Sequence, residues 1–280
     1  MPRIFGVFFN QNQSSLFAEK AIRQALELAT DKETLVNAVL YGYGVPIDDP
    51  VPPLLLSAQR ATATSTEVRL AEAQTILERA KWKHAEAGGI REKVKGKETQ
   101  KLSFSLTTSD VPELRQGAEL LKEMWRRIGI ETQVQIFGAG DLNQNVIRHR
   151  KFDALLFGEI VGRDLDLFAF WHSSQRNDPG LNIAMYTNSS VDKLLEEARR
   201  TADTDRRAES YEKALAAIRN DAPAVFLYSP EFIYVLPQKV RGFARGRATV
   251  PSERFLDVHH WYIETGKVWD VFTNQNPKSK

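Results

Sequence analysis

The sequence contains no cysteine and has almost no excess of either charge. Without cysteine the chain can form neither a disulfide nor a thiolate metal site, and it has no cysteine nucleophile. Lysine and arginine number 38 and aspartate and glutamate 36, whereas a nucleic-acid-binding domain normally carries a concentrated basic face. We therefore expect no nucleic-acid partner, and the charge balance neither favours nor excludes an acidic ligand.

Long apolar runs are also lacking. No run approaches the roughly 20 residues that a membrane-spanning helix needs. Residues 1–5 lead directly into strand-like sequence, without the apolar stretch of an export signal. The 280 residues are enough to bury a large core in one or two domains.

The spacing of apolar residues predicts alternating strands and helices. Residues 102–107 and 130–137 alternate between apolar and polar side chains, and a helical pattern over 110–128 lies between them. Strand, helix and strand joined by short loops form a βαβ unit, which requires parallel strands. With further strand patterns at 4–9 and 152–157, this predicts an α/β fold with a sheet flanked by helices.

Other segments complete this pattern. A capping box at residues 30–33 and a hydroxyl at Ser189 or Ser190 predict two helix starts. The remaining predicted elements are helices at 17–29, 66–80, 142–148, 191–200 and 206–219, an exposed hairpin or loop at 81–101, a strand pair at 224–228 and 232–236, and a strand at 255–261.

The segment after the strand pattern at 152–157 has the features of a ligand-binding edge. Open α/β sheets bind ligands beyond the carboxyl ends of their strands. Charged, aromatic and amide side chains follow that strand in order: Glu159, Arg163, Asp164, Asp166, Phe168, Trp171, Asn182 and Tyr186. The aromatic residues fit a hydrophobic core equally well, and Asn182 and Tyr186 equally fit hydrogen bonding within a loop.

The acidic residues of this segment allow two kinds of chemistry. Asp164 and Asp166 with Glu159 could form a general acid and base pair, because neighbouring carboxylates titrate at different pH values. They could equally bind the amine of a ligand or hold the loop.

The sequence indicates no bound metal ion, no cofactor and no known catalytic motif. The five histidines lack zinc-motif spacing, neither 42–44 nor 138–140 has the third glycine of a dinucleotide fingerprint, and no nucleophile-elbow, Walker or zincin pattern occurs. We therefore expect no metal, no cofactor and no catalytic residue of those classes.

The C-terminal segment is unusual because it is apolar but short. It holds aromatic residues from Phe243 to Phe272, too many for a disordered arm and too few to form a core of its own. Such a segment normally completes the core of another unit.

Ordered motifs over nearly the whole chain to about Trp261 are similar to one protein family. They are residues 4–11, Phe17 with 21–26, 30–33, 42–46, 89–93 ahead of the strand at 102–106, 152–154, and Asn182 through Tyr186 to 192–198. In this set the chain resembles the extracellular solute-binding proteins of family 5, the peptide-binding components of ABC transporters.

The resemblance implies a two-lobed fold, similar to type II periplasmic binding proteins, that closes around an extended peptide. It implies that the chain is a C-terminal fragment: residues 1–9 as a strand crossing between lobes, 10–234 as the C-terminal α/β lobe, and 235–280 as a return segment of the other lobe. An export signal or anchor is then expected upstream, and the location periplasmic or otherwise extracytoplasmic. The implied partners are a peptide or small solute and a membrane ABC permease, with the protein a monomer.

The resemblance also implies site residues. Asp164 follows the strand of the cleft and would meet the α-ammonium group of a peptide. Some oligopeptide-binding members carry an arginine a few positions earlier, where this sequence has Gly158–Ile160, and Arg163 is the adjacent cation instead. The ligand-binding residues predicted with them are Asn10, Phe168, Trp171, Asn182 and Tyr186.

Other functions are open at this point. A hydrolase would use Asp164 and Glu159, and would lose turnover when Asp164 is replaced by asparagine. A chaperone-like module would bind unfolded chains without a preference for peptide length. The 280 residues alone could also bind no ligand, because half of the implied cleft would be missing.

Overall fold

A computed structural model describes residues 3–52, 65–86, 88–161, 166–244, 248 and 250–263. The chain divides into two compact units, a larger one of Pro2–Pro230 and a smaller one of Met1 with Glu231–Lys280. The lobe boundaries predicted at 9/10 and 234/235 stay predictions. The last part of the C-terminal segment, from residue 264 onward, lies outside the described residues.

The described elements alternate along the chain as the apolar spacing predicts. The strands are β1 (Arg3–Phe9), β2 (Gly44–Pro46), β3 (Lys83–His84), β4 (Arg91–Lys95), β5 (Glu98–Lys101), β6 (Ser103–Ser109), β7 (Glu131–Phe137), β8 (Ala154–Ile160), β9 (Ala224–Pro230), β10 (Val240–Arg241) and β11 (Tyr262–Ile263). The α-helices are α1 (Lys20–Ala29), α2 (Lys32–Leu40), α3 (Thr66–Arg79), α4 (Pro112–Arg126), α5 (Ala139–Asp141), α6 (Phe168–Trp171), α7 (Ser189–Arg200) and α8 (Thr204–Asp221). Leu142–Ile147 forms a π-helix, and 3₁₀-helices cover Ser15–Ala18, Ser173–Gln175, Pro251–Phe255 and Val258–His260.

A mixed sheet runs through the larger unit. Among the described residues its strand order is β2-β9-β1-β8-β6-β7. Strand β6 is parallel to β7 and β8, whereas β1 is antiparallel to both β8 and β9. The predicted βαβ unit and α/β fold class are therefore confirmed, with β6, α4 and β7 as that unit.

The strand directions fix where the chain enters and leaves the larger unit. Because β8 and β9 are both antiparallel to β1, their carboxyl ends lie at the sheet edge where β1 begins. The carboxyl ends of β6 and β7 lie at the same edge, which we call the carboxyl edge. Arg3, where β1 begins, and Pro230, where β9 ends, therefore both lie at this edge of the sheet.

Strand β1 separates two hydrophobic cores. Val7 and Phe9 are fully buried on one face, in the core that α1, α2, α3 and α4 cover. Ile4 and Phe8 are fully buried on the other face, in the core that α7 and α8 cover. Full burial of each such side chain contributes about 1.5–3 kcal/mol, so the strand is held from both sides.

Three local predictions need correction. Residues 232–236 do not form a strand, since β9 continues to Pro230 and the chain then leaves the unit. The segment 255–261 contains short 3₁₀-helices rather than a strand. Helix α7 is capped by Asn188, whose side-chain oxygen accepts from the N–H groups of Ser190 and Val191, and not by either serine hydroxyl.

The hairpin predicted at 81–101 is a small sheet. Strands β3, β4 and β5 pair antiparallel in that order. The first residue of β4, Arg91, is buried, and it donates to the carbonyl oxygens of Ile128 at 2.9 Å and Trp82 at 2.8 Å. Arg91 therefore fixes the small sheet to the main body, together with Lys93 of the same strand, whose ammonium group donates to Glu19 at 2.8 Å.

The smaller unit, described by itself, contains the pair β10 and β11 and a set of aromatic rings. The Tyr234 ring lies 6.1 Å from Phe243, and Trp261 lies 5.4 Å from Phe243 and 5.8 Å from Phe255. Phe243 and Phe255 remain 36% and 42% exposed. The described part of this unit therefore has aromatic contacts but few enclosed side chains.

One buried arginine joins the first helix to the last. The Arg23 guanidinium donates to the carbonyl oxygens of Asp221 at 2.7 Å and Ala222 at 3.0 Å, at the C-terminal end of α8. It also donates to the carbonyl of Phe17 at 2.5 Å. These carbonyls belong to groups that a helix end or a tight turn leaves without partners, so Arg23 supplies the missing donors.

We expect Arg23→Met to lower the free energy of unfolding by about 2–4 kcal/mol, because buried carbonyl groups would lose their donors. Urea unfolding followed by circular dichroism measures this change. Arg115→Ala, at an exposed position of α4, is the control and should change stability by less than about 0.5 kcal/mol. Equal effects of the two substitutions would contradict the role given to Arg23.

Candidate functional site

The carboxyl end of β8 is where the sequence predicts ligand binding. Ile160 is 62% exposed, and Val161 after it is buried. Arg163 and Asp164 lie outside the described residues, and the described chain resumes at Asp166. Val161 and Asp166 are thus the described residues next to the predicted charged pair in the sequence.

Asp166 is bound to helix α7 by a two-point ion pair. Arg199 donates from Nε to Asp166 Oδ1 at 3.0 Å and from Nη2 to Oδ2 at 2.5 Å. The hydrogen bond to Asp166 raises the pKa of Arg199 above its ordinary value. Paired parallel bonds fix orientation as well as distance, so the chain after residue 165 has a defined direction.

The same arginine covers an aromatic ring of the predicted site. The Arg199 guanidinium lies 3.8 Å from the centre of the Phe168 ring, and the His172 ring stacks 4.0 Å from it. On the far side, His172 Nε2 is 3.5 Å from a carboxylate oxygen of Glu196. Phe168 is therefore layered between Arg199 and His172 rather than open on a face.

Three further predicted residues lie together in the core beside this stack. The Trp171 ring contacts Tyr186 at 6.1 Å and Phe226 at 5.6 Å, and Trp171 is 1% exposed. Asn182 is fully buried: its amide donates to the carbonyls of His172 and Tyr186, and its oxygen accepts from the N–H of Tyr186. These side chains hold the loop between α6 and α7, and their role in ligand binding stays a prediction.

Tyr186 also reaches the end of α8. Its hydroxyl donates to Asp221 Oδ2 at 2.7 Å. Burial, followed by this bond to a carboxylate, raises the pKa of Tyr186 well above its ordinary value, so the phenol stays protonated. It therefore acts here as a hydrogen-bond donor within the unit.

The structure does not bring Asn10 to the same place. Asn10 follows the carboxyl end of β1, and its backbone N–H donates to Asp153 just before β8 begins. It is 1% exposed and donates to the carbonyl of Arg150. A seven-residue strand is about 20 Å long, so Asn10 lies roughly that far from the carboxyl end of β8.

Glu159 is a buried acid, whereas Asp166 forms an ion pair. It is 6% exposed, and its Oε2 atom has no hydrogen-bond partner among the described residues. Burial raises the pKa of Glu159 well above its ordinary value. The side chain is thus held in its neutral form well beyond the pH at which an exposed carboxyl ionises.

Sequence reasoning missed the part played by Arg199. It lies 33 positions after Asp166, near the end of a helix that also carries the basic residues Lys193 and Arg200. The only available signal was the acidic residue next to the aromatic pair, which does not specify a distant arginine. Among the described residues, no group of three or more histidine or acidic side chains could hold a metal ion, and no helix is long and apolar enough to cross a membrane.

Comparison with known proteins agrees with the resemblance found in the sequence. The oligopeptide-binding protein AppA of Bacillus subtilis is 29% identical over 261 residues, which cover 92% of this chain and 46% of the relative. Protein XP55 of Streptomyces lividans is 32% identical over 84% of this chain and 42% of its own length. The chain spans about half the length of the curated relatives it matches.

Solved structures also match nearly the whole of this chain. The structure of Bacillus subtilis AppA in complex with a nonapeptide matches 94% of this chain and 51% of its own, with 27% identity and a TM-score of 0.75. The structure of NikZ from Campylobacter jejuni in complex with Ni(L-His) covers 92% of this chain with a TM-score of 0.73, and at 24% identity it shows the fold alone. The fold class predicted from the sequence is confirmed.

The model of bacterial extracellular solute-binding proteins, family 5 Middle, matches residues 2–180, which is more than half of the chain. The match includes β1, the βαβ unit and β8 with the segment after it. The chain therefore belongs to the bacterial extracellular solute-binding proteins of family 5.

Proposed function

We propose that this chain is the ligand-binding lobe of a substrate-binding protein of an ABC importer, and that its ligand is a peptide or a related small solute. The observation that carries the proposal is the family match over residues 2–180, which ends beyond the carboxyl end of β8. The family consists of solute-binding proteins rather than enzymes, and nothing supports the hydrolase or chaperone alternatives. An extracytoplasmic location and a membrane permease as partner are part of this proposal.

The geometry of the carboxyl edge supports a ligand site there. Strands β6, β7, β8 and β9 all end at this edge, and β1 begins there. Open α/β sheets bind ligands at such an edge. We propose that the smaller unit, with residues 235–280, belongs to a second lobe that completes the cleft.

Asp164 is the residue that we propose for the ligand's α-ammonium group, with Arg163 beside it. The segment 162–165 joins two fixed points, the end of β8 at Ile160 and the Asp166–Arg199 ion pair. We propose that Phe168, Trp171, Asn182 and Tyr186 keep the Asp166–Arg199 ion pair in place.

We expect Asp164→Asn to weaken peptide binding about ten- to a hundredfold, since an oriented charge-assisted hydrogen bond contributes about 1.5–3 kcal/mol. Isothermal titration calorimetry measures the change in affinity, both on this chain and on any longer protein that contains it. The matched control is the same peptide with an acetylated amino terminus, which should bind both proteins with similar affinity. Equal affinities of the free peptide for both proteins would remove Asp164 from the site.

Glu159 provides a second test, because a buried neutral acid should affect stability rather than ligand charge. Burial raises the pKa of Glu159 in the folded state. Its contribution to the free energy of unfolding is therefore complete below the ordinary carboxyl pKa and is lost as the pH rises through the folded-state pKa, because the unfolded chain ionises first. We expect Glu159→Gln to raise the melting temperature more at about pH 8 than at about pH 4. Thermal unfolding by circular dichroism measures this.

Peptide affinity separates the two acids further. Glu159→Gln should change affinity less than about twofold, in contrast to Asp164→Asn. An equal shift of the melting temperature by Glu159→Gln at both pH values would contradict the raised pKa of Glu159.

A further inference from the structure

The turn between α2 and β2, formed by Tyr41, Gly42 and Tyr43, presents two tyrosines without partners, and we call it the tyrosine turn. Tyr41 is 86% exposed and Tyr43 is 53% exposed. Among the described residues, neither hydroxyl has a hydrogen-bond partner and neither ring contacts another ring. The N–H of Gly42 donates to the carbonyl of Val36 at 3.4 Å, and that of Tyr43 to the carbonyl of Leu40 at 2.8 Å. The backbone that carries the two rings is therefore fixed.

The backbone of Tyr41 is in an unfavourable conformation for a bulky residue. Its φ is 52° and its ψ is 32°, which is the left-handed region. Glycine and asparagine adopt this conformation more readily than tyrosine does. The exposed ring gains little from packing inside the unit, so it does not offset the strain. Strained residues of this kind cluster at sites that bind ligands, and the strain together with the exposure points to an external contact.

The tyrosine turn lies at the carboxyl edge of the main sheet. Gly44, directly after the turn, pairs with Pro230, the last residue of β9. The hydroxyl of Ser229 donates to the carbonyl of Arg3, the first residue of β1, and Arg3 pairs with Ile160, the last residue of β8. One row of residues therefore crosses the sheet from the tyrosine turn, through the ends of β9 and β1, to the end of β8.

Exposed apolar side chains are concentrated at this edge. In the described part of the larger unit, eight large apolar or aromatic side chains are exposed. Five of them lie within three residues of a strand end at the carboxyl edge: Tyr41, Tyr43, Val111, Ile136 and Ile160. Exposed apolar area of this kind favours association, because a bound molecule removes it from water. The distribution supports a contact surface along the edge, with the tyrosine turn at one side of it.

The row also sets the length of a ligand that reaches both of its ends. Gly44 and Ile160 are on β2 and β8, which two other strands separate. Three strand spacings of about 4.8 Å place them roughly 14 Å apart. An extended peptide rises about 3.3 Å per residue, so five residues span about 13 Å and three residues span only about 7 Å. A tripeptide held at the end of β8 therefore leaves the tyrosine turn uncovered.

We propose that the ligand is an extended peptide of five or more residues, which lies across this row and contacts the tyrosine turn with the residues farthest from β8. The inference rests on the proposed function and adds the class of peptide, an oligopeptide rather than a dipeptide or tripeptide. Tyrosine suits this role because its ring gives a large contact area at little cost in conformational entropy. Its hydroxyl can bond to the backbone of any peptide, so the turn selects for length rather than for sequence.

Isothermal titration calorimetry with alanine peptides of two, three, five and seven residues tests the proposal, both on this chain and on any longer protein that contains it. We expect the affinity to rise at least about tenfold from the tripeptide to the pentapeptide. The double variant Tyr41→Asn with Tyr43→Ser removes both rings, and asparagine tolerates the left-handed conformation. It should lower the affinity for the pentapeptide about tenfold and that for the tripeptide less than about twofold.

Two controls accompany this variant. Tyr41→Phe with Tyr43→Phe keeps both rings, and should bind the pentapeptide within about threefold of the natural chain. Val94→Ser removes an exposed apolar side chain from β4, outside the main sheet, and should change no affinity by more than about twofold. Unchanged circular dichroism spectra will verify that each variant is folded.

The outcomes separate this inference from the proposed function. If no peptide binds to either protein, the proposed function fails and the inference fails with it. Equal affinities for the tripeptide and the pentapeptide overturn the inference alone. A length preference that the asparagine and serine variant retains assigns the tyrosines to another partner, such as the permease. An equal loss of affinity at every length shows that the tyrosines do not contact the distant residues of the peptide, and this too overturns the inference.

Discussion

The antiparallel insertion of β1 between β8 and β9 is the constraint on which the rest of the larger unit depends. It buries Ile4 and Phe8 in one core and Val7 and Phe9 in the other, so a single strand joins both helical layers. It also places the start of β1 beside the ends of β8 and β9. A sheet of parallel strands alone would separate the points at which the chain enters and leaves.

Side chains that are far apart in the sequence stabilise the chain next to the carboxyl edge. Arg199 on α7 fixes Asp166 and covers Phe168, while Asn182 and Tyr186 fix the loop ahead of that helix. Asp166 and Phe168 are thus attached to the second core through Arg199. Buried residues such as Asn182 and Tyr186 supply rigidity here, and the proposed ligand contacts come from residues next to Asp166 in the sequence.

The sequence predicted periodic features well and long-range pairing poorly. The β6-α4-β7 unit followed from clean alternation around an amphipathic helix, and β8 from a continuous apolar run. By contrast, no periodic signal links Asp166 to Arg199 or Arg23 to the end of α8, because each pairing depends on how distant elements pack. Trp171 fitted both core and ligand shelf, and only its 1% exposure places it in the core. Residues 232–236 have strand composition but lack a neighbouring strand among the described residues.

The contact between Arg23 and the end of α8 also has a bearing on biosynthesis. Arg23 and Asp221 are separated by 198 positions, and β1 likewise pairs with the last strand of its sheet. Closing loops of this length is entropically costly and slow, and the end of α8 and β9 are translated only after nearly the whole of the larger unit. The first core must therefore wait, partly assembled, for its final strand, which is a period when helper proteins can act on the nascent chain.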